Sequence, residues 1–222
     1  MKYPCLVLDH DDTVVMSTPD VHYPSFLEAM KLLRPDMQVP TLSAFIRASC
    51  DPGILVYFTD VVGLSDEEMV IEQRIWRQHT QVSLPEPYEG FGQLLKRYRK
   101  TGGKVCVVSH SHRDNIERHY AAQFGFVPDM TFGWERPEHE RKPHPFPLQR
   151  IMDEFALSPK SILMVDDLKP GMDMAMSAGV DFAWAGWSHT APVVSDFMHA
   201  HAQYRFDTVK ALEAFLFDES PF

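Results

Sequence analysis

The chain has 222 residues, 45% hydrophobic and 23% charged, so it can build one sizeable core with a smaller accessory unit and is too apolar to remain disordered. Its formal net charge of −10 argues against a basic face for nucleic acid or an anionic membrane. No run reaches the ~18 uninterrupted apolar residues of a membrane helix, and the apolar stretch after Tyr3 stops at Asp9, too short for a signal peptide, so the cytoplasm is the expected location.

The first element is Cys5-Leu6-Val7-Leu8, a continuous apolar run that ends abruptly in Asp9-His10-Asp11-Asp12-Thr13. Runs without polar alternation suit strands buried on both faces. Residues 15–87 then break the strand rhythm. The pattern over 22–33 is helical, and Ser65-Asp66-Glu67-Glu68 has the spacing of a capping box that opens a helix to about 81. Residues 54–58 are ambiguous between strand and helix. Pro85 and Pro87 mark the return to the core.

Phe91, Leu94, Leu95 and Tyr98 follow the i, i+3, i+4, i+7 spacing of an amphipathic helix stopped by Gly102-Gly103. Val105-Cys106-Val107-Val108 predicts a second strand, ending in Ser109. A helix over 114–124 follows, then a weaker strand at 130–132. Ile162-Leu163-Met164-Val165 predicts another strand, ending in Asp166-Asp167, then a helix over 172–178 closed by Gly179 and a last weak strand at 182–185. Strands alternating with helices imply right-handed crossovers and a parallel sheet. Cys5 and Cys106 sit in apolar runs as small core residues, and with Cys50 they suggest no disulfide framework.

Ligands of an open parallel sheet bind beyond the carboxyl ends of its strands. Asp9 and Asp11, Ser109, and Asp166 and Asp167 all stand at such ends, and adjacent strands would bring them together. Four carboxylates that close would repel one another and partly protonate. A divalent cation with oxygen ligands removes that penalty, and magnesium suits one or two carboxylates, several waters and a phosphate oxygen.

These motifs resemble those of the haloacid dehalogenase superfamily. Asp9-His10-Asp11-Asp12-Thr13 is similar to its first motif, Ser109 to its second, Lys142-Pro143-His144-Pro145 to its third, and Asp166-Asp167 with Gly171 and Ala178-Gly179 to its fourth, in the family's order. The resemblance implies a three-layer Rossmann-like α/β core of five parallel strands in the order 3-2-1-4-5, with an inserted α-helical cap. The corresponding division is a core of residues 1–15 and 86–222 and a cap of 16–85, hinged near 14–16 and 84–88.

The resemblance also implies roles. Asp9 would attack phosphorus to form an aspartyl-phosphate, and Asp11 would serve as general acid and then base. Lys142 would add a fixed cation. Thr13 and Ser109 would hold phosphoryl oxygens, with His110 as a further substrate contact. Mg2+ would be held by Asp9, the backbone carbonyl of Asp11, Asp166 and Asp167. An acid at position 11 looks like a phosphatase or phosphomutase, since dehalogenases and phosphonatases of the superfamily lack it, and the presence of only one cap lysine, Lys31, argues against a cap lysine as Schiff-base partner. The implied activity is hydrolysis of a small phosphorylated metabolite by a monomer or weak homodimer. The alternatives are a sugar phosphomutase and a non-catalytic phospholigand-binding member.

Three departures stand out. Asp12 occupies a position commonly held by glycine, and Asp tolerates unusual backbone angles. His10 replaces an apolar residue. His22-Tyr23 resembles a His-Tyr pair of many caps, at a spacing one residue too long for a role to be transferred. His10, His110, His112, His139 and His144 are expected to be mostly solvated loop residues. Arg34, Arg47, Arg74 and Arg77 are cap cations that could meet an anionic substrate.

Overall fold

The expected apolar runs become strands of one parallel sheet in the computed structural model, which describes residues 1–188 and 191–218. They are β1 Cys5–Leu8, β2 Lys104–Val108, β3 Met130–Phe132, β4 Ile162–Asp166 and β5 Asp181–Ala185. The sheet order is β3-β2-β1-β4-β5-β6 with every neighbouring pair parallel, so the order 3-2-1-4-5 is present and the expected five strands become six. The added edge strand β6, Tyr204–Phe206, is only half-buried. Its Tyr-Arg-Phe alternation over three residues lacks the continuous apolar run that marks a central strand.

Side chains alternate across the sheet. Leu6 and Leu8 point into one cluster with Phe91, Leu94, Leu95, Tyr98, Ile116, Tyr120, Leu212 and Leu216. Cys5 and Val7 point into the other with Leu148, Ile151, Met172, Ala175, Val194 and Met198. Each fully buried Val or Leu contributes about 1.5–3 kcal/mol, and all four β1 side chains are wholly buried.

Apart from Val14 and Val15 in the first cluster and Cys50 against the second, the segment leaving β1 stands outside both. After a π-turn at Thr18–His22 it forms α1 Tyr23–Leu33, α2 Leu42–Ala48, a short α3 Ile54–Val56 and α4 Asp66–Val82. Phe26, Ala29, Met30, Phe45, Phe58, Val62, Leu64 and Ile75 make a third cluster of their own. The ambiguous stretch 54–58 is thus helical. Ser65 and Glu68 form the reciprocal capping box, and Glu68 also grips Arg34 through both guanidinium nitrogens at 2.7 and 2.8 Å. Arg34 is therefore a structural cation rather than a substrate contact.

Two short crossings join this unit to the sheet. Met16 N–H donates to Glu86 O and Tyr88 N–H to Val14 O, both at 2.9 Å. The returning chain enters α5 Phe91–Lys100. Helix α6, Arg113–Phe124, holds the return from the side: Arg118 donates to the carbonyls of Thr80 and Ser83 at 2.8 Å each, and Gln123 donates to Pro85 O. Helices α7 Phe146–Phe155, α8 Lys169–Ala178, α9 Pro192–His201 and α10 Val209–Leu216 complete the layers. The end of the expected core, 219–222, lies outside the described residues. No described helix is long and apolar enough to cross a membrane.

Candidate active site

Parallel pairing places the carboxyl ends of β1, β2 and β4 side by side, which brings Asp9, Ser109, Asp166 and Asp167 together as their positions imply. Asp9, Asp166 and Asp167 are buried, and each offers a carboxylate oxygen within 4.8 Å of the others. Lys142, itself buried, places Nζ 2.7 Å from Asp9 Oδ1 and 2.8 Å from Asp166 Oδ2. Helix α8 begins hard against this corner. Leu168 N–H donates to Asp166 Oδ1 at 2.8 Å, and a Cβ on Gly171 would lie 2.1 Å from Asp166 Oδ2, so only glycine lets the first turn approach.

Burial and then crowding govern this corner. Burial, reinforced by Asp166, Asp167 and Asp11, pushes the Asp9 carboxyl well above its ordinary range despite the opposing pull of Lys142. Burial and Asp167 push Asp166 up to about 6, again against Lys142. Burial alone would lower Lys142, but Asp166 and Asp9 outweigh it and keep the amine charged. A set of three converging hard carboxylates with a single cation fits a divalent metal, which would remove the repulsion that lifts these acids.

Asp11 stands two residues from Asp9 in the opposite environment. Its carboxylate accepts from Ser17 Oγ at 2.6 Å and Ser111 Oγ at 2.5 Å, with Ser109 Oγ at 3.5 Å and His22 Nε2 at 3.4 Å. Burial acts to raise it, but His22, His10 and the Ser111 hydroxyl hold it well below the carboxylate range. The Asp11 side chain is not part of the three-acid group.

Thr13 lies beside the acid cluster. Its hydroxyl donates to Asp167 Oδ1 at 3.0 Å, and Trp187 Nε1 holds its carbonyl at 2.9 Å. Its hydroxyl therefore stands against one of the three acids of the site. Ser109 Oγ accepts from Ser111 N–H at 3.2 Å. His110 is exposed, with Nε2 3.0 Å from the Lys142 carbonyl. Asp12 takes φ 54°, the left-handed region, and its carboxylate accepts from Thr18 N–H at 3.0 Å and from the Thr18 hydroxyl. Aspartate thus replaces glycine here and ties down the exit from the loop.

His22, Trp76 and Glu72 had no role assigned from the sequence. His22 reaches Asp11 because the helix before it opens on a π-turn, with Tyr23 N–H donating to Thr18 O. That i→i+5 bond takes up one residue more than an α-turn, which absorbs the spacing that looks one residue too long. Trp76 Nε1, a donor only, meets His22 Nδ1 at 3.0 Å, so Nε2 carries the proton toward Asp11. Burial lowers the His22 pKa, and the Asp11 charge outweighs it and raises it overall. Glu72 on α4 is buried nearby, its carboxyl pushed up to about 7 by burial and partly offset by His22.

His10 is not a solvated loop residue. It is wholly buried, with Nε2 2.8 Å from His119 Nδ1. His119 Nε2 lies 3.1 Å from both the Ser83 carbonyl and Arg118 Nη2. Burial takes the His10 pKa down to about 4. From the helical unit, Cys50 packs against the sheet cluster. Burial first, then Asp167 and Asp12, push its thiol up to about 12. Cys5, Cys50 and Cys106 are all free thiols.

The fold and the acid cluster define a class: α/β hydrolases that work at the strand ends of a Rossmann-like sheet. Residues 6–185 match the model of the haloacid dehalogenase-like hydrolases, and the chain belongs to that family. The chain is 25% identical over 190 residues to pyrophosphatase PpaX of Bacillus cereus strain Q1, covering 85% of each. Its fold superposes on a predicted phosphoglycolate phosphatase from Haemophilus somnus with TM-score 0.78 at 18% identity, covering 98% of both chains. It also superposes on CbbY from Rhodobacter sphaeroides, solved in complex with phosphate, with TM-score 0.69 at 15% identity over 93% of this chain and 94% of that one.

Proposed function

We propose that this hydrolase is a magnesium-dependent phosphatase acting on a small phosphomonoester through an aspartyl-phosphate on Asp9. The observation that carries the reading is the convergence of buried Asp9, Asp166 and Asp167 on Lys142 at the ends of β1 and β4. Relatives named as a pyrophosphatase and a phosphoglycolate phosphatase support phosphoryl chemistry.

In this reading an Asp9 oxygen attacks phosphorus and the ester oxygen leaves with a proton from Asp11. Water then attacks the aspartyl-phosphate, Asp11 takes its proton, and phosphate departs. The environment around Asp11 suits the second half-reaction, because its donors stabilise the carboxylate that accepts the proton. For the first half-reaction the negative phosphoryl group beside it favours protonation. Lys142 supplies a fixed charge beside Asp9, and the hydroxyl of Ser109 stands within the same strand-end group. Magnesium, when held by Asp9, Asp166, Asp167 and the Asp11 carbonyl, would neutralise charge on the transferring group. Thr13 would keep Asp167 oriented for that task. Residues 16–85 would act as a cap over the site, moving on the crossings at 14–16 and 84–88 and excluding water on closure.

Phosphate release from p-nitrophenyl phosphate, pyrophosphate and small aliphatic phosphomonoesters tests this, with wild type and Asp9→Asn, in magnesium and in EDTA. Metal-dependent release that disappears in Asp9→Asn is the expected result. Release that persists in the purified variant would mean a different nucleophile.

A further inference from the structure

We propose that the cleft between α4 and the loops following β2 and β3 binds the planar aromatic ring of an aryl or nucleoside phosphate whose phosphoryl group enters the acid cluster. The proposal rests on the phosphatase reading for the phosphoryl end and on the cleft itself for the ring.

Size decides where a leaving group can lie. The space beside Asp11, lined by Ser17, His22, Ser111 and Asn115 among others, amounts to about 10 Å³, room for about one water. The cleft outside it has about 300 Å³, the lower end of small-ligand pockets. His22 and Trp76 stand between the two. Trp76 lines the cleft while its Nε1 bonds His22, which faces Asp11.

The other walls are equally close to the chemistry. His112 follows Ser111, whose hydroxyl is on Asp11, and its ring lies 5.8 Å from that of Trp76. Trp134 meets the His110 ring edge-on at 5.5 Å, and His110 bonds the Lys142 carbonyl. Arg141 lies over the Trp134 indole at 4.0 Å, which holds that ring in place. Each aromatic wall is thus one residue or one hydrogen bond from a group of the acid site.

The lining also selects by charge and shape. Two half-buried indoles and an imidazole offer π faces to a flat ring. Arg74 and Arg77 bring positive charge, and no acidic side chain lines the cleft, although the chain carries a net charge of −10. Arg77 is paired with Asp114. Arg74 makes no ion pair among the described residues, which leaves its guanidinium for an anionic ligand. An aliphatic phosphate would leave both indoles uncovered.

The test is calorimetric titration of the Asp9→Asn chain in magnesium with adenosine monophosphate against ribose 5-phosphate, and with phenyl phosphate against glycerol phosphate. Each pair differs by the ring. The ring-bearing member should bind about tenfold more tightly, the worth of one aromatic stack. Trp134→Leu should remove most of that preference and leave ribose 5-phosphate binding unchanged, while Trp134→Phe should retain it. A preference in both pairs assigns the cleft to flat rings in general, and one confined to the adenosine pair assigns it to nucleosides. Equal binding within both pairs, no binding by any of the four, or a preference that survives Trp134→Leu would overturn the inference. Metal-dependent phosphate release by wild type without ring preference would leave the phosphatase reading standing and this one lost. Ring preference without turnover on any ester would do the reverse.

Discussion

Asp9 and Asp11 are separated by one residue and live in opposite chemical surroundings. Around Asp9 there are two more buried carboxylates and one lysine, and the acid is pushed well above its ordinary range. Around Asp11 there are serine hydroxyls and an imidazole, and the acid is held well below. Neighbouring acids whose environments drive their pKa values apart are suited to different tasks. The crowded corner suits a metal and a nucleophile. The donor-lined corner suits proton transfer.

Four experiments would break or sharpen this contrast. The largest effect should come from Asp11→Asn, which removes the proposed proton carrier and leaves the crowded corner intact. Turnover should fall by about 10²–10⁴-fold, while the rise in melting temperature on adding magnesium should be as in wild type. A variant that also loses its magnesium response would show that the two corners are one unit.

Lys142→Met attacks the other corner. Removing the single cation from a buried cluster leaves carboxylates unpaired, at about 3–5 kcal/mol. Urea unfolding without metal should show that loss, and magnesium should restore part of it. If magnesium restores nothing, the three acids do not form a cation site.

Ser111→Ala trims one donor from Asp11. The loss should be about 1–3 kcal/mol in the transition state of the second half-reaction, read as the single-turnover rate of aspartyl-phosphate breakdown. Because the removed bond favours the carboxylate, the Asp11 pKa should move up, and the acid limb of the rate profile should shift to higher pH. A shift to lower pH would contradict the cage described around Asp11.

The smallest effect concerns Asp181, at the opposite end of the sheet. Burial would raise its carboxyl, but Lys160 at 2.6 Å, Tyr3 at 2.8 Å and Gln203 at 3.2 Å outweigh it and lower it. It resembles Asp11 in being surrounded by donors and has no part in the site. A depressed folded-state pKa contributes stability above the ordinary carboxylate value, and that contribution is lost as pH falls through the folded-state value. Asp181→Asn should therefore melt lower than wild type near neutral pH, with the two curves converging towards pH ~2, and its turnover should be unchanged.

The core was legible because buried parallel strands leave continuous apolar runs, and because Asp9, Ser109 and Asp166 sit where those runs stop. The capping box at Ser65 marked the start of α4 for the same local reason. Other features leave no such trace. Strand β6 is a three-residue edge with alternating polarity. The π-turn before His22 shows in the sequence as an apparently misplaced histidine. Arg34 reads as a free cation until Glu68 is folded against it, and His10 reads as a loop residue until His119 covers it.

What the chain alone determined was the inventory at the strand ends: three acids to converge, a lysine to offset them, and a second acid two residues beyond the first. Which acid became crowded and which became surrounded by donors was decided only by tertiary structure. The groups responsible are distant in sequence: Ser111 lies 100 residues from Asp11, and Thr13 lies 154 from the Asp167 it orients. A carboxylate's pKa and direction depend on burial and on charges within a few ångströms, and those neighbours exist only once the sheet has brought its strand ends together.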